Sequence, residues 1–582
     1  MADDEFLKEY GKDLVEQVIA GRMTRRELLI RASVAGISAS AVGSLLAACG
    51  GSSSGSSSSA RVKEGGVLRI GTQYVPNSMN PFVAYMITAY NTFHYIYPHL
   101  VEYDTTNKEL PFVPSFARKW EVTPDGLTWT FHTVPGAKWS DGRPLTSQDA
   151  AFTINTIIKY ASGPAASIAS LVTDMKDAVA TDANTLVIHL TAPTAPLLSR
   201  LVRLYILPEH VWAKYATGNG SQLKLFSNSA PVVSGGPFMM TEYVPNDHLL
   251  CQRNPHWWGP RPHIDGFGVQ FFSSQDAEVL ALKNNQIDYV TPLPPTSVAP
   301  MRSAGMIVND MPGLLVHEID LNSSPYMKEH RELLLPNVRL AFSHALDIQK
   351  FIDVAYLGHA QAAGSWIPSS SGGGWNNPNL KPESFDLALA SQLLDQADCR
   401  LGSDGVRYYK GAKMEYNVVF PQDEQGPGSR VFQIYQADLA KIGIIVHQQS
   451  VDNNAAYTLI AGPDNKYRSF QIAQWSWTAQ IDPDFMLSVL TTSQWGALAD
   501  TGWTNPTYDK LYLEQGREMN AAKRRAIVWK MQEIIYKDKP YIPTVCSNWL
   551  EAFSPKWAGF VLSPRGSWND LSMQTLLSIH RV

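Results

Sequence analysis

Residues 114–149 read PSFARKWEVTPDGLTWTFHTVPGAKWSDGRPLTSQD. Within this stretch Trp129-Thr130-Phe131-His132-Thr133-Val134 alternates apolar and polar side chains, the period of a strand with one buried face. Asp125-Gly126 precedes the alternation and Asp141-Gly142 follows it. Asp-Gly pairs mark tight turns, because glycine accepts positive φ and the aspartate bonds the nearby backbone. The pattern predicts antiparallel hairpins, followed by a helix that opens at Ser147-Gln148-Asp149 and runs into Ala150-Ala151-Phe152-Thr153-Ile154.

Outward from this block, helices and strands interleave. Gly65-Gly66-Val67-Leu68-Arg69-Ile70-Gly71 predicts a short strand bounded by glycines, and Pro76-Asn77-Ser78-Met79-Asn80-Pro81 a turn-rich loop. Helices are predicted over 277–285, 338–354, 385–397, 429–442 and 521–537, with a short apolar run at 287–290. Elements interleaved without strict βαβ regularity give an α/β class. At 582 residues the chain exceeds a single core, and about 150 residues per domain implies two to four domains.

The net charge of −5 gives no electrostatic basis for a nucleic-acid partner, which requires concentrated Lys and Arg. The chain is rich in aromatic residues, with 16 Trp and 24 Tyr. Its four cysteines, Cys49, Cys251, Cys399 and Cys546, are scattered and form neither a zinc pattern nor a disulfide framework.

The N-terminal segment reads as an address. Arg22, Arg25, Arg26 and Arg31 precede seventeen uncharged residues, 32–48, in the layout of an export signal. That run is short for a spanning helix, which needs about 20 apolar residues. Thr24-Arg25-Arg26-Glu27-Leu28-Leu29 resembles a twin-arginine export signal, with the true start at Met1 or Met23. Leu46-Ala47-Ala48-Cys49 resembles a bacterial lipobox, which makes Cys49 the acylated residue of a membrane tether. The Gly/Ser run 50–59 after it has the composition of a flexible linker. It contains Gly51-Ser52-Ser53-Ser54-Gly55, a formal GxSxG, but a nucleophile elbow needs a strand before it and a helix after it.

Catalytic signatures are missing elsewhere too. HExxH, a Walker A loop, an EF-hand loop and a strand-linked GxGxxG do not occur. The histidines are dispersed; His94 and His99 could share a face only loosely and are read as satisfied side chains.

The opening block, followed in order by Ile206-Leu207-Pro208-Glu209-His210, Ser234-Gly235-Gly236-Pro237-Phe238, Arg253-Asn254-Pro255-His256-Trp257-Trp258-Gly259, Asn285-Gln286-Ile287-Asp288, Val338-Arg339-Leu340-Ala341-Phe342, Asp482-Pro483-Asp484 and Pro540-Tyr541-Ile542-Pro543, resembles the family 5 extracellular solute-binding proteins. These include dipeptide- and oligopeptide-binding lipoproteins of bacterial ABC importers. The resemblance covers about residues 65–561. It implies a type II periplasmic-binding-protein fold: two lobes with a hinge, an extra small α/β domain in the first lobe, and a ligand held in the cleft. The implied boundaries are 1–48 for the signal, 49–62 for the lipidated cysteine and linker, 63–85 with 206–315 and 546–582 for the lobe I core, 86–205 for the extra domain, and 316–545 for lobe II. Trp120, Trp129 and Trp139 are expected to pack a core.

In peptide-binding members an aspartate a few residues before the Asp-Pro pairs with the peptide α-ammonium. Here the run is Gln474-Trp475-Ser476-Trp477-Thr478-Ala479-Gln480-Ile481-Asp482-Pro483, which puts Ala479 or Gln480 at that position. Two readings stand for Trp475 and Trp477: core packing, or stacking faces beside Gln480 for a polar solute such as an oligosaccharide. Gln73, Tyr74, Trp366, Trp375 and Asp482 complete the expected ligand contacts.

The function expected is a monomeric, extracytoplasmic, lipid-anchored solute receptor that delivers a peptide or another polar solute to ABC permease subunits, with no cofactor, metal or catalytic residue. A secreted hydrolase and a sensory lipoprotein are the alternatives on the same scaffold. Cys49→Ser is expected to move the protein from the membrane fraction to the soluble fraction on cell fractionation; continued sedimentation with membranes would refute the tether.

Overall fold

The computed structural model describes residues 63–107, 111–424, 426–561 and 571–582; the export signal with Arg25 and Arg26, Cys49 and the Gly/Ser run lie outside the described residues. The chain forms two compact units, one from the residues up to Asn309 together with Leu550–Val582, the other from Asp310–Trp549. Both chain passages between them fall inside long strands, Ile307–Leu321 and Tyr541–Phe553.

The first unit is organised around Val67–Thr72, the glycine-bounded strand. It pairs in parallel with Gly266–Phe271 on one side and Tyr289–Val290 on the other, and antiparallel strands His248–Arg253 and Phe238–Val244 extend the sheet. Arg69 ties the centre together, with Nε and a terminal nitrogen each 2.8 Å from the Asp288 carboxylate.

The 114–149 block builds a separate four-stranded antiparallel sheet in the order Ala117–Val122, Thr128–Thr133, Thr185–Leu190, Met175–Asp182. Trp129, Phe131 and Thr133 point inward and the residues between them are half-buried, as the alternation requires. At the preceding turn the Gly126 N–H donates to the Thr123 carbonyl at 2.8 Å, and Gly126 has φ +71°. The helix Ser147–Lys159 opens with reciprocal caps: Thr146 Oγ1 accepts from the Gln148 N–H, and Asp149 accepts from the Thr146 N–H at 3.0 Å. Farther along, Asn155 bonds both the N–H and the carbonyl of Ala178, joining this helix to the edge strand Met175–Asp182.

Trp139 is fully buried over Gly235, where an added Cβ would come within 2.9 Å of its ring. The glycines of Ser234-Gly235-Gly236 therefore answer a packing demand. Trp120 departs from expectation. It sits on the outer part of Ala117–Val122 and is only half-buried, with its ring 6.5 Å from Phe131.

In the second unit the strand order is Ile445–Val451, Glu415–Pro421, Ile472–Thr478, then Ile307–Leu321. One sheet face, with Ile319, Leu321, Val418, Phe420 and Ile472, packs on the helices Pro336–His344, Leu387–Gln396 and Pro427–Lys441. The other presents Val419 and Ala473 to Ala456, Ile460, Tyr467 and Phe470. The helix expected over 338–354 is interrupted after His344. It restarts where Asp347 accepts from the Lys350 N–H at 3.0 Å, and a single π turn, Phe351–Ala355, completes it.

Cys251, Cys399 and Cys546 are buried and free. Among the described residues no helix is long and apolar enough to cross a membrane. Trp139→Ala is expected to lower unfolding stability by about 3–5 kcal/mol, the usual cost of emptying a buried indole site; a chemical denaturation midpoint unchanged from wild type would show that this packing is dispensable.

Candidate functional site

The strand Ile472–Thr478 runs antiparallel to Ile307–Leu321 in a register that pairs Val316 with Trp477, Glu318 with Trp475 and Asp320 with Ala473. Directly paired residues in an antiparallel ladder present their side chains to the same face. One face of this pair of strands therefore carries Val316, Glu318, Asp320, Ala473, Trp475 and Trp477. The apolar core on the opposite face, through Ile319, Leu321 and Ile472, sets that orientation.

The aromatic part of the face is only half-buried. Tyr457 meets Trp475 edge-on at 5.4 Å between ring centroids, and Phe485 meets Trp477 at 5.9 Å. Trp477 Nε1 donates to an oxygen of Asp500 at 2.9 Å.

The carboxylates of the face are enclosed. Glu318, Asp320 and Asp500 are 1%, 0% and 1% exposed. Among the described residues neither oxygen of Glu318 or Asp320 has a hydrogen-bond partner, nor has the second oxygen of Asp500. Burial, then repulsion from Asp320, Asp500 and Glu424, holds the Glu318 carboxyl well above the usual carboxylate range. Asp320 is raised for the same reasons, and burial pushes Asp500 up to about 7 despite its bond from Trp477. Glu424 is the contrast. Burial would raise it too, but His317 Nδ1 at 3.3 Å keeps it below its ordinary value.

The structure sorts the residues expected to meet ligand. Trp475 and Trp477 do share one strand face, and Gln480, two residues past the strand, is partly exposed. Ala479 is buried, and its N–H is committed to the Leu314 carbonyl at 2.8 Å, so of the two positions where the family resemblance implies an aspartate, 479 holds a packed methyl group and 480 a partly exposed amide. Asp482 is an anchor within the fold: both its oxygens pair with Arg524 at 2.7 Å, and one also accepts from the Asp484 N–H. Trp366 is 1% exposed, donates to the Met486 carbonyl and packs on Tyr541. The polar atoms of both residues are engaged inside the second unit. Trp375 lies under the guanidinium groups of Arg524 and Arg525, at 4.9 and 5.9 Å. Gln73 and Tyr74 follow the strand Val67–Thr72 in the first unit, with Tyr74 exposed.

Glu318, Asp320 and Asp500 were not anticipated. The signal was present in Leu314-Leu315-Val316-His317-Glu318-Ile319-Asp320-Leu321, where two acids stand two apart in an otherwise apolar strand. Such spacing puts both on one face. The first unit has a second buried polar group that sequence left loose. The His94 and His99 rings stack at 4.4 Å, and both Nε2 atoms reach the same Glu102 oxygen, at 2.8 and 3.0 Å. Among the described residues these three alone bring metal-ligand atoms close enough together for one ion. The other Glu102 oxygen accepts from the Tyr103 N–H at 2.8 Å.

A carboxyl with a raised folded-state pKa favours the folded state fully at pH values below its unfolded pKa, and that contribution is lost as pH rises through the folded value. Asp500, ordinarily near 3.8 and here about 7, should make stability fall across that interval. Asp500→Asn should flatten the slope of Tm against pH over the same window; an unchanged slope would place the titration elsewhere.

A family model described as bacterial extracellular solute-binding proteins, family 5, matches residues 111–497. Protein XP55 of Streptomyces lividans is 26% identical over 565 residues, covering 95% of this chain and 96% of that protein. The dipeptide-binding protein of Escherichia coli is 25% identical, covering 84% of this chain and 91% of that protein. Among solved structures, the ABC transporter-associated periplasmic binding protein DppA from Helicobacter pylori, in complex with the peptide STSA, superposes with a TM-score of 0.71 at 23% identity, over 89% of this chain and 98% of that one.

Proposed function

The chain belongs to the bacterial extracellular solute-binding proteins of family 5, and on that premise we propose that it is the receptor of an ABC importer whose solute is a peptide. The observation that carries this reading is the match across residues 111–497, which spans most of both units and includes the strand bearing Trp475 and Trp477. Relatives with full-length similarity include a dipeptide-binding protein, and a protein of the same fold holds a tetrapeptide. The half-exposed faces of Trp475 and Trp477, with Gln480 beyond them, are the proposed ligand contacts of the second unit. Tyr74, exposed after the first strand of the first unit, is proposed separately as a ligand contact. Lipid attachment at Cys49, export through Arg25 and Arg26, and residence on the outer side of the cytoplasmic membrane follow from the N-terminal segment and belong to the same proposal.

A second reading, an uncharged polar solute such as an oligosaccharide, is favoured by one observation: neither candidate for the expected ammonium-binding position, buried Ala479 or partly exposed Gln480, is a carboxylate. Native mass spectrometry of the purified protein, with identification of any retained solute, separates the two. Titration with dipeptides to tetrapeptides should change tryptophan fluorescence, with affinities near micromolar, about −8 kcal/mol, and Trp477→Phe should reduce the amplitude. Recovery of a retained oligosaccharide would favour the second reading, and hydrolysis of the added peptide would replace both with an enzyme.

A further inference from the structure

The buried acids of the second unit extend the receptor reading to the chemistry of its ligand. We propose that Glu318, Asp320 and Asp500 are the counter-charge for a side-chain cation of the bound peptide, a lysine ammonium or an arginine guanidinium, seated behind the Trp475 and Trp477 rings. The proposal rests on the receptor reading above.

Three observations on one sheet face carry it. Four oxygens of Glu318 and Asp320 and one of Asp500 are buried without a hydrogen-bond donor. Among the described residues no lysine, arginine or histidine bonds to any of the three, although every buried acid elsewhere that is held low, such as Glu102 and Glu424, has a histidine against it. Burying a charge without such a partner costs several kcal/mol. The face also offers the aromatic rings of Trp475, Trp477 and Tyr457, and these are the members of the group that reach solvent. Aromatic faces attract organic cations through the ring quadrupole.

A metal ion fits less well. Calcium or magnesium requires oxygens converging at about 2.0–2.6 Å, and the convergent set among the described residues is His94, His99 and Glu102, in the other unit. A nitrogen cation with several N–H donors spread over a wider span suits acids that interact through space without meeting at a point.

In the free protein burial and mutual repulsion favour the protonated form of each acid. Arrival of a cation reverses that preference, so each carboxyl that ionises releases its proton to the buffer. Glu424, Cys546, Tyr457 and Tyr467 are the other titratable groups whose charges reach the cluster, and His317 already compensates Glu424.

The test is calorimetric titration of the purified chain with trilysine, trialanine and fully N-acetylated trilysine, each in two buffers of different ionisation enthalpy at pH 7. Trilysine should bind at least tenfold more tightly than its acetylated form, with net proton release that the acetylated peptide lacks. Trialanine should bind more weakly than trilysine; trialanine binding as tightly as trilysine would assign the acids to the peptide N-terminus and overturn the side-chain cation. Glu318→Gln and Asp320→Asn should abolish the preference and the proton release while retaining or raising Tm, because a neutral isostere removes a buried acid that has no compensating cation. Equal affinity for trilysine and its acetylated form, or wild-type affinity for trilysine in both variants, would overturn the counter-charge and leave the receptor reading standing. Failure of all three peptides to bind would remove the counter-charge and the peptide reading together.

Discussion

The second unit is governed by the two-residue period of the strand Ile307–Leu321. Ile319 and Leu321 must enter the apolar core formed with Val418, Phe420 and the helices beyond, and a one-residue slip would expel both. With that face committed, the chain has no freedom over the other: Glu318 and Asp320 are driven inward on the opposite side, against Trp475 and Ala473. The apolar core thus carries the energetic burden of holding acids where water cannot solvate them, a recurrent arrangement at functional sites.

How the molecule treats its other buried charges sharpens the contrast. Asp482 lies between two Arg524 nitrogens, Asp288 between two of Arg69, and Glu102 below two stacked imidazoles. Each of these groups joins segments far apart in sequence or closes a loop. Glu318 and Asp320 join nothing through their oxygens. Groups that are buried, polar and unpartnered are few in folded proteins, and two on one strand beside half-exposed tryptophans form a unit.

The first unit follows a different constraint. Its added sheet is specified locally, by alternation at 128–133, by the Thr123–Gly126 turn and by the Thr146–Asp149 caps. Every one of these devices acts over six or fewer residues, and that is why the block 114–149 could be read before any tertiary contact was known. The interruption after His344 was less legible, because Asp347 restarts the helix through a single side-chain bond inside a pattern whose apolar period continues. The half-exposure of Trp120 was not legible either, since alternation assigns residues to faces without saying which positions near a strand end stay covered.

Sequence alone determined the α/β class, the family, and the shared face of Trp475 and Trp477, because each depends on composition, on motif order or on a period of two. Tertiary structure decided which polar groups are already taken. Asp482 looked available until Arg524, forty-two residues later, was found against it, and Trp366 until its N–H was found on Met486. It also disclosed Glu318, Asp320 and Asp500 as one group, since only folding brings residue 500 to the strand that carries 318 and 320. Availability is a property of partners, and partners distant in the chain are chosen by packing rather than by local spacing.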